Sequence, residues 1–263
     1  MCKDCSTHED SFDHDKLPIE DSHSVKIVDS IEKRFCGPIL GHKLPLIRKK
    51  NTAANEDVDV TADQLDEMER QATYYYSKFL EALGVDWRND PNSNDTPYRV
   101  AKSYLRDMWS GRYTKFDFDK LTKFPNDKKY DQMLVQGPID IKSMCSHHHR
   151  EITGYAIVGV LYGKDSNLIG LSKFSRIIKH YSRRGQIQEE LTQQLSSKLF
   201  EILNPIGIGV IINAKHHCMS HRGVQEPNCY TTTSSLLGIF RDDMSVRNEF
   251  LNRSSELEKL YRY

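Results

Sequence analysis

The sequence predicts an α+β fold built on an antiparallel sheet. Strand-like segments come in adjacent pairs, Met133–Met144 with Gly154–Tyr162 and Gly207–Ala214 with Thr231–Phe240. Helical segments precede and separate those pairs instead of alternating singly with strands. Single alternation would favour a parallel sheet, whereas paired strands favour antiparallel neighbours.

Each element has a local reason. Thr61-Ala-Asp-Gln64 reads as a capping box, and Leu65, Met68, Ala72, Tyr75, Phe79 and Leu83 recur at helical spacing up to Gly84. Asp95-Thr96-Pro97 gives a cap residue and an early proline for a second helix running to about Ser110-Gly111. The first strand is expected to be interrupted at Gly137-Pro138, and Gly163–Asn167 signals a turn. Ser172 is expected to cap a helix through about Tyr181. A longer helix follows from about Gln186 to Leu203, with Ile187, Leu191, Leu195, Leu199 and Ile202 on one stripe.

Residues 1–60 read differently: acidic and His-containing sequence, then the basic Arg48-Lys49-Lys50, with poor apolar periodicity. They are expected to form a flexible or partly ordered extension ahead of a domain spanning 61–263. Cys2 and Cys5 form a CxxC with no second pair and are read as exposed thiols.

Composition excludes several classes. Lys+Arg and Asp+Glu are both 37, so a protein held to nucleic acid by bulk charge is not indicated. No apolar run reaches the length of a membrane helix. The amino terminus has no export or mitochondrial signal, which gives a cytoplasmic expectation. Six cysteines in 263 residues are read as thiols and not as a disulfide framework.

The chemistry lies in two clusters, each just after a strand: Cys145-Ser-His147-His148-His149 and His216-His217-Cys218-Met-Ser-His221-Arg222. Thiolate and imidazole are the ligands zinc prefers. Two Cys and one His would leave a position open for a water activated as a nucleophile, whereas Cys2His2 would close the site structurally. Spacing alone leaves both readings standing. A non-ligating histidine nearby could move protons. Ser172, Lys173 and Arg176 at a helix start offer a phosphate site, although such residues are commonly just solvated. Arg99 and Lys102 share one helix face and by pattern alone are solvated. Gln188 and Glu189 open the next helix, where a carboxylate complements the helix dipole or accepts the paired N–H donors of a guanine edge.

Together and in order, these segments resemble GTP cyclohydrolase I, from about residue 62 to about residue 251. The resemblance rests on Asp95-Thr-Pro-Tyr-Arg99-Val-Ala-Lys102, Ser143-Met-Cys145-Ser-His147-His148, Gly170-Leu-Ser-Lys-Phe-Ser-Arg176-Ile, Gln186-Ile-Gln-Glu189-Glu-Leu-Thr192, His216-His-Cys218-Met-Ser-His-Arg222-Gly-Val and Gly238-Ile-Phe-Arg-Asp-Asp243. It implies the tunnelling fold, an antiparallel sheet with helices on one side, over about 130–251, preceded by a helical part over about 61–115. It implies one Zn2+ per subunit on Cys145, His148 and Cys218, with His147, His216 and Ser172 catalytic. Gln188 and Glu189 match base-recognition positions, and Arg99, Lys102, Lys173, Arg176 and Arg222 match triphosphate-binding positions. The implied reaction converts GTP to 7,8-dihydroneopterin triphosphate and formate, at subunit interfaces of a homodecamer. No membrane or nucleic-acid partner is implied. The alternatives are a tunnelling-fold paralogue acting on another purine or pterin, and a non-catalytic zinc- and nucleotide-binding regulator.

The chain departs from the family pattern at Ser146, where Glu is usual, and at His217, where an apolar residue is usual. His149 is read as lying outside the site, and His217 as a bystander or an alternative ligand.

Overall fold

The structure, a computed structural model, describes residues 22–34, 52–118 and 120–261. Cys2, Cys5 and the basic run 48–50 lie outside the described residues. The elements in chain order are α1 (His23–Arg34), α2 (Ala62–Ala82), α3 (Thr96–Lys102), a π-helical stretch (Ser103–Met108), α4 (Ser110–Tyr113), β1 (Lys123–Pro125), β2 (Met133–Cys145), β3 (Glu151–Leu161), β4 (Asn167–Ile169), α5 (Leu171–Ser182), β5 (Gly185–Gln186), α6 (Gln188–Leu203), β6 (Gly207–His216), α7 (His217–Ser220), β7 (Thr231–Gly238), α8 (Ile239–Asp242) and α9 (Met244–Tyr261). They fall into a helical unit, which includes residues 62–103, and a sheet unit, which comprises 50–61 and 104–263.

In the helical unit, residues 22–34 form a helix within the stretch read as an extension. Val25, Val28 and Ile31 recur every three residues and are buried with Tyr74, Leu80 and Trp87. Ser22 caps the helix, its Oγ accepting from the Val25 N–H at 3.3 Å. Asp95, expected to cap α3, makes no side-chain cap bond there. Its Oδ1 instead accepts from the Ser22 hydroxyl at 2.8 Å and the Ser24 N–H at 3.3 Å, at the positive end of α1. Lys78 and Arg88 tie α2 and the loop after it to Glu32 and Asp29, each at 2.8 Å. The single helix expected from Thr96 to about Gly111 is divided into α3, the π-helical stretch and α4.

In the sheet unit the strand order is β5-β2-β3-β6-β7, with β2, β3, β6 and β7 antiparallel and β5 a two-residue parallel edge. The interruption expected at Gly137-Pro138 is a register shift between Gln136 and Ile139 within one continuous β2. Alternation then sorts the side chains. Ala156, Val158, Val160, Ile208, Val210 and Ile212 face Phe174, Ile177, Leu191, Leu195 and Leu199 of α5 and α6 in the main core. Each fully buried Leu or Ile there contributes about 1.5–3 kcal/mol. The two principal helices therefore lie on one face, as the resemblance implied.

The opposite face carries Tyr155, Ile157 and Ile211, covered by Phe240 and Phe250 of α8 and α9. A Cβ at Gly159 or Gly209 would stand 2.5 or 2.6 Å from the Phe250 ring, so only glycine permits this approach. α5 starts from Gly170 as its N-cap, which places Ser172 inside the first turn and not at the cap. Among the described residues, no helix is long and apolar enough to cross a membrane.

Candidate functional site

Strand register gathers the two clusters. β3 pairs with β2 through Ile152 and Ser143, and with β6 through Ile152 and His216. Because β3 runs against both, the carboxyl ends of β2 and β6 flank its start. β5 pairs Gln186 with Cys145 and leads directly into α6, bringing the helix start to the same end of the sheet.

Cys145 closes β2 and is buried. Its N–H donates to Arg150 O at 2.8 Å, and its carbonyl accepts from the His149 N–H at 2.9 Å, closing the tight loop 146–149. His149 takes φ 49° to turn the chain back. From β6, the single turn α7 returns Cys218 toward Cys145. The ligand atoms of Cys145, His148 and Cys218 all lie within 4.8 Å of one another.

This donor set suits a divalent metal of borderline softness. Burial, then the neighbouring Cys145 sulfur, raise the Cys218 thiol above its ordinary pKa, while Arg222 pulls the other way. A cation held between two sulfurs would favour their thiolate forms. Cys145 is buried, Cys218 half-buried and His148 exposed, so the group is open on one side to an approaching molecule.

The other histidines take distinct places. His147 Nδ1 lies 3.6 Å from Cys145 Sγ and is outside the ligand group. His149 packs edge-on against Trp109, with ring centroids 5.3 Å apart. His217 contacts Thr153 Oγ1 through Nε2 at 2.9 Å and stacks on His221. His149 and His217 are likewise outside the ligand group. His216 is half-buried, and its Nε2 lies 2.8 Å from Gln188 Oε1. Burial lowers its pKa, His217 adds to that, and the Glu189 carboxylate opposes it.

The first turn of α6 presents two adjacent residues in different environments. Gln188 is 1% exposed and Glu189 is exposed. Gln188 Nε2 donates toward Ile212 O at 3.1 Å, Thr231 O at 2.9 Å and Thr233 Oγ1 at 3.1 Å. Ser172 is exposed in the first turn of α5. Lys173 is half-buried beside it, and Arg222 is exposed in the loop after α7. Arg176 lines a cavity of about 400 Å³ with Lys115, Lys179, His180 and Arg183. Arg99 and Lys102 belong to the helical unit. There Arg99 pairs with Asp95 at 3.8 Å and Lys102 lies 5.6 Å from the Tyr98 ring centroid.

Sequence reasoning missed the inward contacts of Gln188. It also missed Arg184, which is wholly buried and donates to Asn55 O at 2.8 Å and Asp57 Oδ1 at 2.6 Å. Nothing in the local sequence marks Arg184 as buried. The apolar stripe of α6 was the available signal for Gln188, since it lies one turn before Leu191 and Thr192.

An antiparallel sheet covered by α5 and α6, with thiols and imidazoles gathered at one end, defines an α+β protein with a candidate metal centre. The family description GTP cyclohydrolase I matches residues 72–255, and the chain belongs to that family, whose members are hydrolases. It is 42% identical over 176 residues to GTP cyclohydrolase 1 of Gloeobacter violaceus, covering 66% of this chain and 80% of that protein. It is 40% identical over 176 residues to GTP cyclohydrolase 1 of Rattus norvegicus, covering 67% and 71%. Among solved structures, the archaeosine synthase QueF-Like in its apo form aligns with a TM-score of 0.33 and 14% identity, over 42% of this chain and 97% of that one.

Proposed function

We propose that this chain hydrolyses and rearranges GTP to 7,8-dihydroneopterin triphosphate with release of formate, using Zn2+ held by Cys145, His148 and Cys218. The observation that carries the reading is the convergence of those ligand atoms within 4.8 Å, at the sheet end where His216 and the start of α6 also lie. A bound zinc ion would activate water for attack at C8 of the guanine imidazole ring.

The remaining work falls to this chain's own residues. His216 and His147 carry protons to and from the purine nitrogens as the ring opens and formate leaves. Glu189, exposed at the start of α6, accepts the paired N–H donors of the guanine edge. Lys173, Arg176 and Arg222 hold the triphosphate and fix the purine in place. Ser172 acts in the later sugar steps. Family membership supports a homodecamer with active sites at subunit interfaces. The free thiols of Cys145, Cys218 and Cys229 suit a reducing compartment, the cytoplasm.

The test is incubation of zinc-loaded protein with GTP, reading formate and a product that fluoresces as a pterin after oxidation. Both should appear in equal amounts. Unchanged GTP with fully loaded zinc overturns the reading and favours a nucleotide-binding regulator.

A further inference from the structure

We propose that Gln188 is a positioning residue for His216, fixing which ring nitrogen of that histidine meets the substrate, and that guanine is left to Glu189. This rests on the reading of His216 as a proton-transfer residue.

The hydrogen-bond network determines the direction of every donor. Gln188's amide end lies near Ile212 O and Thr231 O, at 3.1 and 2.9 Å. Both are backbone carbonyls and can only accept, so the nitrogen of the amide must sit there. Thr192 Oγ1 lies 2.7 Å from Gln188 O, also a pure acceptor, and therefore donates to it. Thr233 Oγ1, 2.6 Å from Thr192 Oγ1, must then donate to Thr192. That leaves its lone pairs for Gln188 Nε2 at 3.1 Å. With its nitrogen end committed, the amide turns Oε1 toward His216 at 2.8 Å.

An amide oxygen can only accept, so His216 holds a proton on Nε2. Nδ1 is left as the nitrogen that exchanges protons with substrate. The choice of tautomer is thus set by β6 and β7 through a buried glutamine. Gln188 is 1% exposed and its polar atoms are engaged inward, whereas the adjacent Glu189 is exposed. Two neighbouring residues that look alike in sequence therefore serve different partners.

The test is a double-mutant cycle on the zinc-loaded protein with GTP as substrate. Gln188→Met keeps the side-chain volume and removes the acceptor. It is expected to lower kcat by about 10- to 100-fold, within the range that general acid–base groups contribute. KM should stay within about threefold, as for loss of an interaction outside ground-state binding. In the His216→Ala background the same change should alter kcat less than about twofold, because the two residues act as one unit. Thr233→Val, which removes one of the bonds orienting the amide, is the second variant should Gln188→Met fail to fold. It should also lower kcat at unchanged KM.

A tenfold rise in KM at unchanged kcat would make Gln188 a guanine contact and overturn the proposal. So would full additivity with His216→Ala. If His216→Ala itself keeps normal turnover, the catalytic reading of His216 falls and this proposal with it. If His216→Ala is inactive while Gln188→Met is normal, only this proposal falls.

Discussion

Gly159 and Gly209 stand directly opposite each other in the β3–β6 register, and the Phe250 ring occupies the notch they leave. The C-terminal helix is thereby keyed to one place on the sheet. Gly159→Ala should cost about 1–3 kcal/mol through overpacking. Phe250→Ala should cost about 3–5 kcal/mol through the cavity left behind. Urea unfolding measures both, and an unchanged midpoint in either variant would contradict this packing.

Arg184 and Asp57 lie far apart in sequence and meet at 2.6 Å. The Arg184 side chain is fully buried, while the Asp57 side chain is 61% exposed. Breaking a fully buried pair costs about 3–5 kcal/mol, and an exposed pair about 0–1. Water can partly replace the Asp57 carboxylate, so Asp57→Ala should cost about 1–2 kcal/mol. Limited proteolysis should then cut faster within residues 52–60. An unaltered cleavage pattern would show that this contact does not hold the segment.

His180 gives a pH dependence. Burial first, and the Arg184 guanidinium second, push its pKa down to about 4, with Asp57 opposing. In the unfolded chain a histidine titrates near about 6.5. Between those values the unfolded chain binds a proton that the native imidazole refuses, so acid favours unfolding. This contribution is fully present above about pH 6.5 and is lost progressively as pH falls toward about 4. His180→Gln should therefore lose less stability than the parent between pH 7 and pH 5, read from urea midpoints. Equal losses would show that His180 titrates normally.

Cys218→Ser should drop bound zinc from one per subunit to near none and abolish turnover together, because removal of one ligand leaves the site too weak. Cys229→Ser is the control: that thiol is exposed and outside the ligand group, so zinc content and turnover should be unchanged. Elemental analysis after dialysis reads both. Retained zinc in Cys218→Ser would remove Cys218 from the ligand set.

Much of this was legible in the sequence because it is local. Apolar runs bounded by turns located the four long strands, and a 3.6-residue stripe located α2, α5 and α6. The Cys and His clusters stood at strand ends, and the register of β2, β3 and β6 places those ends together. What was not legible is decided between distant segments. Gln188 reads as a polar helix start, and only the carbonyls of Ile212 and Thr231 reveal its inward role. Asp57 reads as one acid in a polar run, and only Arg184 gives it a partner. α1 is a different case: residues 1–60 read as poor in apolar periodicity, because the short spacing of Val25, Val28 and Ile31 is embedded in polar, acidic sequence.

The sheet unit is discontinuous along the chain. Residues 50–61 belong to it, yet the chain next enters the helical unit and returns only at residue 104. A truncation near residue 60, where composition changes, would therefore amputate part of the sheet unit itself. It would remove Asn55 and Asp57 from Arg184, and Thr52 and Ala53 from Arg112. Two guanidinium groups would be stranded without their counterparts. The sheet unit thus begins upstream of the change in composition, and a stretch that reads as leader is one of its structural parts.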